Sequence, residues 1–194
     1  MTTLQVPEAV LDYVYPATDG KPKAETDVHV EEMTALIETL KERYRQREDV
    51  YVAGNNFLYF EEGEPSSRVS PDTYVVFGVP KRQRRTYRLW QEGRAPDVVF
   101  ELTSKSTKHE DLSFKKELYA RLGVTEYFLF DPLGDYLRPP LQGFLLQERE
   151  YRPIAPDAEG RLSSQTLDLY IRREGRRLRL IDADTGSPLL RPDE

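Results

Sequence analysis

Val30, Met33, Ile37, Leu40 and Tyr44 recur at steps of three and four and predict an amphipathic helix. Thr26 or Asp27 supplies its cap, and Glu31 and Glu32 suit its first turn. The pattern then turns to strand. Residues 50–60 (VYVAGNNFLYF) read as a strand bent at Gly54-Asn55, and a turn over 62–65 leads to a second strand over 69–79, a hairpin with the first. A polar, basic loop over 81–94 follows. Residues 98–103 form a strand too dense in Val and Phe to be half exposed. Residues 110–122 (EDLSFKKELYARL) read as a helix with an apolar stripe of Leu112, Phe114, Leu118, Tyr119 and Leu122. Thr107 and Glu110 match a capping box for it, and Gly123 is placed to end it. Residues 125–130 are another buried strand, closed by Asp131-Pro132. Beyond 132 come a turn-rich loop over 134–140, short strands over 143–148 and 151–154, and a hairpin of 167–173 with 176–181 around Glu174-Gly175. The order predicts a mixed α/β (α+β) sheet flanked by helices, with an N-terminal arm over 1–24, a core over 25–150 and a β-rich extension over 151–194.

One position breaks the pattern. Lys115 projects from near the centre of the apolar stripe, whereas Lys116 points off it toward water. A lysine among packed residues either snorkels out or meets a buried carboxylate. Two acids upstream lie in strand-like settings, Asp72 in SPDTYVVFGV and Glu101 in PDVVFELTS. Two acids on adjacent strands, with a lysine aimed between them, match the construction of a metal-dependent nuclease. Magnesium takes hard oxygen ligands and keeps several waters, so Asp72, Glu101 and the carbonyl of Leu102 suffice to hold it. Manganese suits the same set. The lysine then orients an attacking water or stabilises the extra charge on a phosphate.

Composition narrows the function classes. The 194 residues contain no cysteine, which removes disulfides and thiolate chemistry, and two histidines cannot supply a three-histidine zinc site. The first thirty residues lack the order of a signal peptide, and no apolar run approaches a membrane span, so a soluble cytoplasmic protein is expected. No P-loop, dinucleotide fingerprint or G-x-S-x-G motif is present, and no small-molecule cofactor is implied. A net charge of −6 opposes bulk attraction to nucleic acid. The basic residues are clustered, however. Five of the eight residues from Lys81 to Arg88 are basic, as are five of the eight from Arg172 to Arg179. Lys81, Arg82, Arg84, Arg85 and Arg88 are therefore the expected phosphate contacts, in a loop that should emerge beside the cleft. Tyr87 and Trp90 next to them either stack on bases or pack on the sheet edge.

The runs SPDTYVVFGVP and APDVVFELTSKSTKHEDLSFKKELYARLGVTEYFLFDP resemble the Uma-two family of restriction-endonuclease-like bacterial proteins, which have the PD-(D/E)XK nuclease fold. The ordered set PD, E-x-x-S, K-x-x-x-Y, GV-x-EY and DP, over roughly residues 25–150, carries the likeness. It implies a restriction-endonuclease-like central sheet and metal-dependent hydrolysis of DNA, with Asp72 and Glu101 as the family's acids. Lys115, four residues before Tyr119, takes the place of its lysine. The general nuclease motif puts the lysine two residues after the glutamate, where this chain has Thr103. Lys105 is a weaker substitute, because it leaves the strand before the site. His29 falls where many members have a histidine.

Each assignment has a bland alternative. Lys115 is otherwise a snorkelling or structurally paired lysine, and Asp72 an acid at a strand start. Glu101 has the weakest alternative, since a carboxylate inside VVFELT needs a partner or an ion. Asp97 reads as a turn residue or a supporting group, and His29 as peripheral. Two function classes follow, a metal-dependent endonuclease acting on DNA and a non-catalytic nucleic-acid- or protein-binding module on the same fold. Cutting both strands of a duplex calls for two sites, so a homodimer is expected, with residues 167–181 as a surface for pairing or for covering a sheet edge.

Overall fold

Six strands make the central sheet. The structure is a computed structural model that describes residues 10, 11, 14–20 and 26–194. The expected arm over 1–24 lies in large part outside the described residues. The first element described over its whole length is helix α1 (Asp27–Arg43), which Thr26 caps by accepting the His29 N–H at 3.3 Å. Strands β1 (Val50–Ala53), β2 (Leu58–Tyr59), β3 (Arg68–Val69), β4 (Thr73–Phe77) and β5 (Tyr87–Arg88) follow, then the one-turn helix α2 (Leu89–Glu92). Next come β6 (Val98–Leu102), α3 (Lys108–Leu112), α4 (Phe114–Leu122) and β7 (Glu126–Phe130). The last elements are β8 (Leu141–Gln147), β9 (Glu150–Pro153), β10 (Leu162–Ser164), β11 (Leu169–Glu174) and β12 (Arg177–Asp182).

The central sheet has the order β1-β4-β6-β7-β8-β9, and its mixed character follows from the connections. β6 and β7 run parallel because α3 and α4 carry the chain back between them, and every other neighbouring pair in this sheet is antiparallel. The predicted hairpin over 50–79 forms, but its bend splits it between two sheets. β1 pairs with β4, while beyond Asn55, at φ +54°, β2 pairs with β3 and β5 in a small second sheet. β10, β11 and β12 make a third sheet; β10 lay outside the expected hairpin.

Strand alternation divides the core between the two faces of the central sheet. Val98, Phe100 and Leu102 pack with Met33, Leu36 and Leu40 of α1 and with Leu169, Ile171 and Leu180 of the third sheet. Val99, Tyr127 and Leu129 face the other way, onto Leu118 and Tyr119 of α4. Glu101 shares the face of Val99, so the strand register sends a carboxylate under α4. Each large apolar side chain buried in these layers contributes about 1.5–3 kcal/mol, the energy against which a buried charge must be set. Within residues 167–181, Leu167, Leu169, Ile171, Leu178 and Leu180 spend their side chains on the first of these layers.

Some local expectations need correction. Val30 is exposed, and Leu36 takes its place on the buried face of α1. The helix over 110–122 is two helices broken at Ser113, at φ −120° and ψ −87°, and Leu112 and Phe114 beside the break are exposed. The capping box does not form: Thr107 Oγ1 accepts the Ser104 N–H at 3.0 Å instead of capping the helix. Gly123 ends α4 as expected, in the left-handed region at φ +84°. Among the described residues no helix is long and apolar enough to cross a membrane.

Candidate active site

Three carboxylates and one ammonium meet where the C-terminal end of β6 passes under α4. Lys115 Nζ lies 2.9 Å from Glu101 Oε2 and 3.0 Å from Asp111 Oδ1, with the side chains of both acids 1% exposed. Glu101 Oε1 accepts the Tyr119 hydroxyl at 2.7 Å. Asp72, just ahead of β4, accepts the Leu102 N–H on Oδ2 at 2.8 Å and has His29 Nε2 3.3 Å from Oδ1. The antiparallel register of β4 and β6, with Thr73 opposite Phe100, brings Asp72 beside Glu101 and Leu102. A strand residue's N–H and carbonyl point to the same side, so the carbonyl of Leu102 faces Asp72 as well.

The charges are out of balance. Burial acts to raise Asp72, but the hydrogen bond and charge of His29, the charge of Lys115 and the Leu102 N–H together hold it below the ordinary aspartate range. Burial, together with the charges of Asp72 and Asp111, pushes Glu101 up to about 8 against the opposing pull of Lys115 and Tyr119. Asp111 is raised by burial too, with Lys115 and Thr107 opposing. Burial disfavours the Lys115 ammonium, yet Glu101, Asp111 and Asp72 outweigh it and hold its proton above the ordinary lysine range. One ammonium thus stands among three buried acids. The donors around it are hard oxygens, the ligand chemistry magnesium and manganese take, and a cation bound there would replace the proton that Glu101 keeps up to about 8. Among the described residues no three His, Cys, Asp or Glu side chains form a ready metal cluster. A set of two carboxylates and one backbone carbonyl does not require one.

The cleft over this group has a volume of about 880 Å³. Asp72, His29 and Lys115 reach it, Ser104, Lys105 and Thr107 form one wall, and Leu133 and Tyr136 lie along another. That second wall is fixed from below by Asp131, whose buried carboxylate accepts the N–H groups of Gly134, Tyr136 and Leu137.

The residues named from sequence divide clearly. Asp72, Glu101, Leu102, Lys115 and His29 come together, and Lys105 lines the same cleft. Asp97 does not join them. It sits at the far end of β6, accepts the Phe77 N–H at 2.7 Å and pairs with Arg94 at 2.7 Å. The basic loop is also at that far end, because it leaves β4 after Phe77, roughly 16 Å along the strand from Asp72. Its emergence beside the cleft is therefore overturned. Arg84 is enclosed by a two-pronged pairing with Glu92 and lies 4.2 Å from the Tyr51 ring centre. Arg82 also pairs with Glu92, Lys81 donates to the carbonyls of Tyr44 and Arg45 at the end of α1, and Arg88 is buried. Tyr87 is fully buried and Trp90 packs on Tyr15, so both pack rather than wait for bases. Asp111 was missed. An acid in the first turn of an expected helix reads as a partner for the helix dipole, and nothing in the spacing marks it as buried.

Comparison with known proteins identifies the family. A family model, Uma2, with the description "Putative restriction endonuclease", matches residues 17–176. The chain belongs to the Uma2 family. A crystal structure of "a putative nuclease belonging to DUF820" from Anabaena variabilis ATCC 29413 superposes with a TM-score of 0.55 at 14% identity, covering 78% of this chain and 81% of that one. At that identity the likeness shows the nuclease fold alone. No curated protein matches this chain.

Proposed function

We propose that this Uma2 protein is a metal-dependent endonuclease that hydrolyses phosphodiester bonds in DNA, with Asp72, Glu101 and the Leu102 carbonyl as metal ligands and Lys115 as the catalytic cation. The observation that carries the reading is the convergence of the buried carboxylates of Asp72, Glu101 and Asp111 on Lys115, a set of hard oxygens from which a divalent cation, magnesium or manganese, would displace the Glu101 proton. When bound, such an ion polarises the scissile phosphate and lowers the pKa of a coordinated water. The chain's own part is to hold the donors. His29 and the Leu102 N–H orient Asp72, and Tyr119 fixes one oxygen of Glu101. The Lys115 ammonium, protonated over the whole working range, stabilises the extra negative charge that the phosphate gains in the transition state. Lys105, on the cleft wall, is placed for a phosphate of the backbone rather than for the reacting atoms. The reading includes a homodimer, since cleavage of both strands requires two sites. Light scattering with and without DNA tests it, and a monomer in both would remove that part.

A second reading has its own support. Both oxygens of Glu101 and both of Asp72 already have protein partners, as in a site that has closed and become a binding module. One experiment separates the two. Magnesium titrated by calorimetry into the wild type should bind, Glu101→Ala should lose both binding and cleavage, and Lys115→Ala should lose cleavage at least about 10²-fold while keeping the metal. Lys105→Ala and Lys116→Ala should be mild. A wild type that takes up no divalent ion selects the binding module.

A further inference from the structure

Lys115 is held by two acids where one would neutralise it. Its ammonium lies 2.9 Å from Glu101 and 3.0 Å from Asp111, and each acid is 1% exposed. A purely structural role explains the second acid poorly, because three buried carboxylates around one lysine raise the cost of folding. The two acids also differ in their other commitments. Glu101 gives Oε1 to Tyr119 and Oε2 to Lys115, and on the nuclease reading it must also turn an oxygen to the metal. Asp111 has no metal to serve on that reading; besides Lys115 its carboxylate is answered by the Thr107 side chain. Its contact with Lys115 is a charge pair without well-aligned hydrogen-bond geometry, and its own backbone is pinned. The Tyr127 hydroxyl donates to the Asp111 carbonyl at 3.0 Å, and the Asp111 N–H donates to Thr107 O at 2.9 Å.

We propose that Asp111 is a positioning residue, the counter-ion that keeps the Lys115 ammonium in the cleft once Glu101 is engaged by the cation. The inference rests on the nuclease reading of Lys115 and adds to it a residue that acts only through that lysine. Asp111 and Lys115 stand four residues apart on either side of the break at Ser113, so the pair also ties α3 to α4. The chain thereby keeps the lysine aimed with a partner that need not move during turnover.

The test is Asp111→Asn, which keeps the shape and removes the charge. Cleavage should fall about 10- to 100-fold in kcat with KM and magnesium affinity by calorimetry unchanged. In a Lys115→Ala background the same substitution should cost nothing further, because its target is gone. Asp111→Glu should restore most of the lost kcat, and it serves as the second variant if the Asn protein does not fold. Loss of magnesium binding in Asp111→Asn overturns the proposal by making Asp111 a ligand, and an equal loss in the Lys115→Ala background overturns it by making the effect structural. A wild type that binds no magnesium sinks the nuclease reading and this inference with it. A wild type that binds and cuts, with Asp111→Asn indistinguishable from it, sinks the inference alone. If magnesium binds and no DNA is cut, the Lys115 ammonium resonance decides. It should persist in the magnesium-bound wild type and broaden away in magnesium-bound Asp111→Asn, and persistence in both overturns the proposal.

Discussion

Glu101 shows what one buried carboxylate costs. It sits near the C-terminal end of β6, after Val98, Val99 and Phe100, and burial with the neighbouring acids raises its pKa from the ordinary 4.5 to about 8. The effect on stability follows from counting protons. Unfolded, the side chain releases its proton near 4.5; folded, it keeps it to about 8. Across that window the folded state binds more protons than the unfolded one, so rising pH favours unfolding. The contribution of this group should therefore decline from pH 4.5 to pH 8 and level off above. Glu101→Gln should lack the decline and be the more stable protein at pH 8. Urea denaturation of both proteins at pH 5 and pH 8 reads the difference, and parallel behaviour would clear Glu101 as its source. Magnesium should flatten the wild-type curve, because a cation that binds the ionised carboxylate replaces the proton.

At the scale of elements, the bend after β1 sets where Asp72 stands. Gly54 passes so close to the start of β4 that a Cβ there would lie 1.9 Å from the Asp72 carbonyl oxygen and 2.9 Å from Ile37 Cδ1. Its role is space rather than backbone freedom. Gly54→Ala must push the Asp72 segment aside, at about 1–3 kcal/mol for overpacking. It should also weaken magnesium binding by about tenfold or more by moving a ligand. Calorimetry below the melting range of both proteins checks this, and unchanged affinity would mean that Asp72 does not hold the ion. The sequence made this bend legible, along with α1, the buried strands β6 and β7, and the Gly123 stop, because each rests on local periodicity or on a turn residue. It also placed Asp72, Glu101 and Lys115 together, since a polar residue inside an apolar run has few bland explanations. Other features depended on tertiary packing. Leu112 and Phe114 carry the right period for a buried stripe, yet the break at Ser113 turns them to solvent. Asp111 is buried only because β7 brings Tyr127 under it, a contact that no local pattern announces.

For the whole molecule the question is how a chain of net charge −6 holds DNA at all. Much of both basic runs is already committed. Arg84 and Arg82 serve Glu92, while Arg172, Arg177 and Arg179 pair with Glu174, Asp193 and Glu194. In the metal-free cleft Lys115 is already paired with Glu101 and Asp111, so it offers a phosphate little free charge. Substrate affinity should therefore depend on the cation itself. A doubly charged ion about 6 Å from a phosphate in water is worth about 1.4 kcal/mol, a factor of about ten in affinity. Fluorescence anisotropy with a labelled duplex should show at least that gain on adding calcium, which takes the same oxygen donors, with a gel confirming that the DNA stays intact. Glu101→Ala should show no gain. The salt dependence should be shallow, because few cations are left to release counterions from the DNA. Tight binding without metal and with a steep salt slope would contradict all of this. It would mean that the arginines leave their carboxylates for phosphates, and would move the DNA-binding surface from the cleft to residues 172–179.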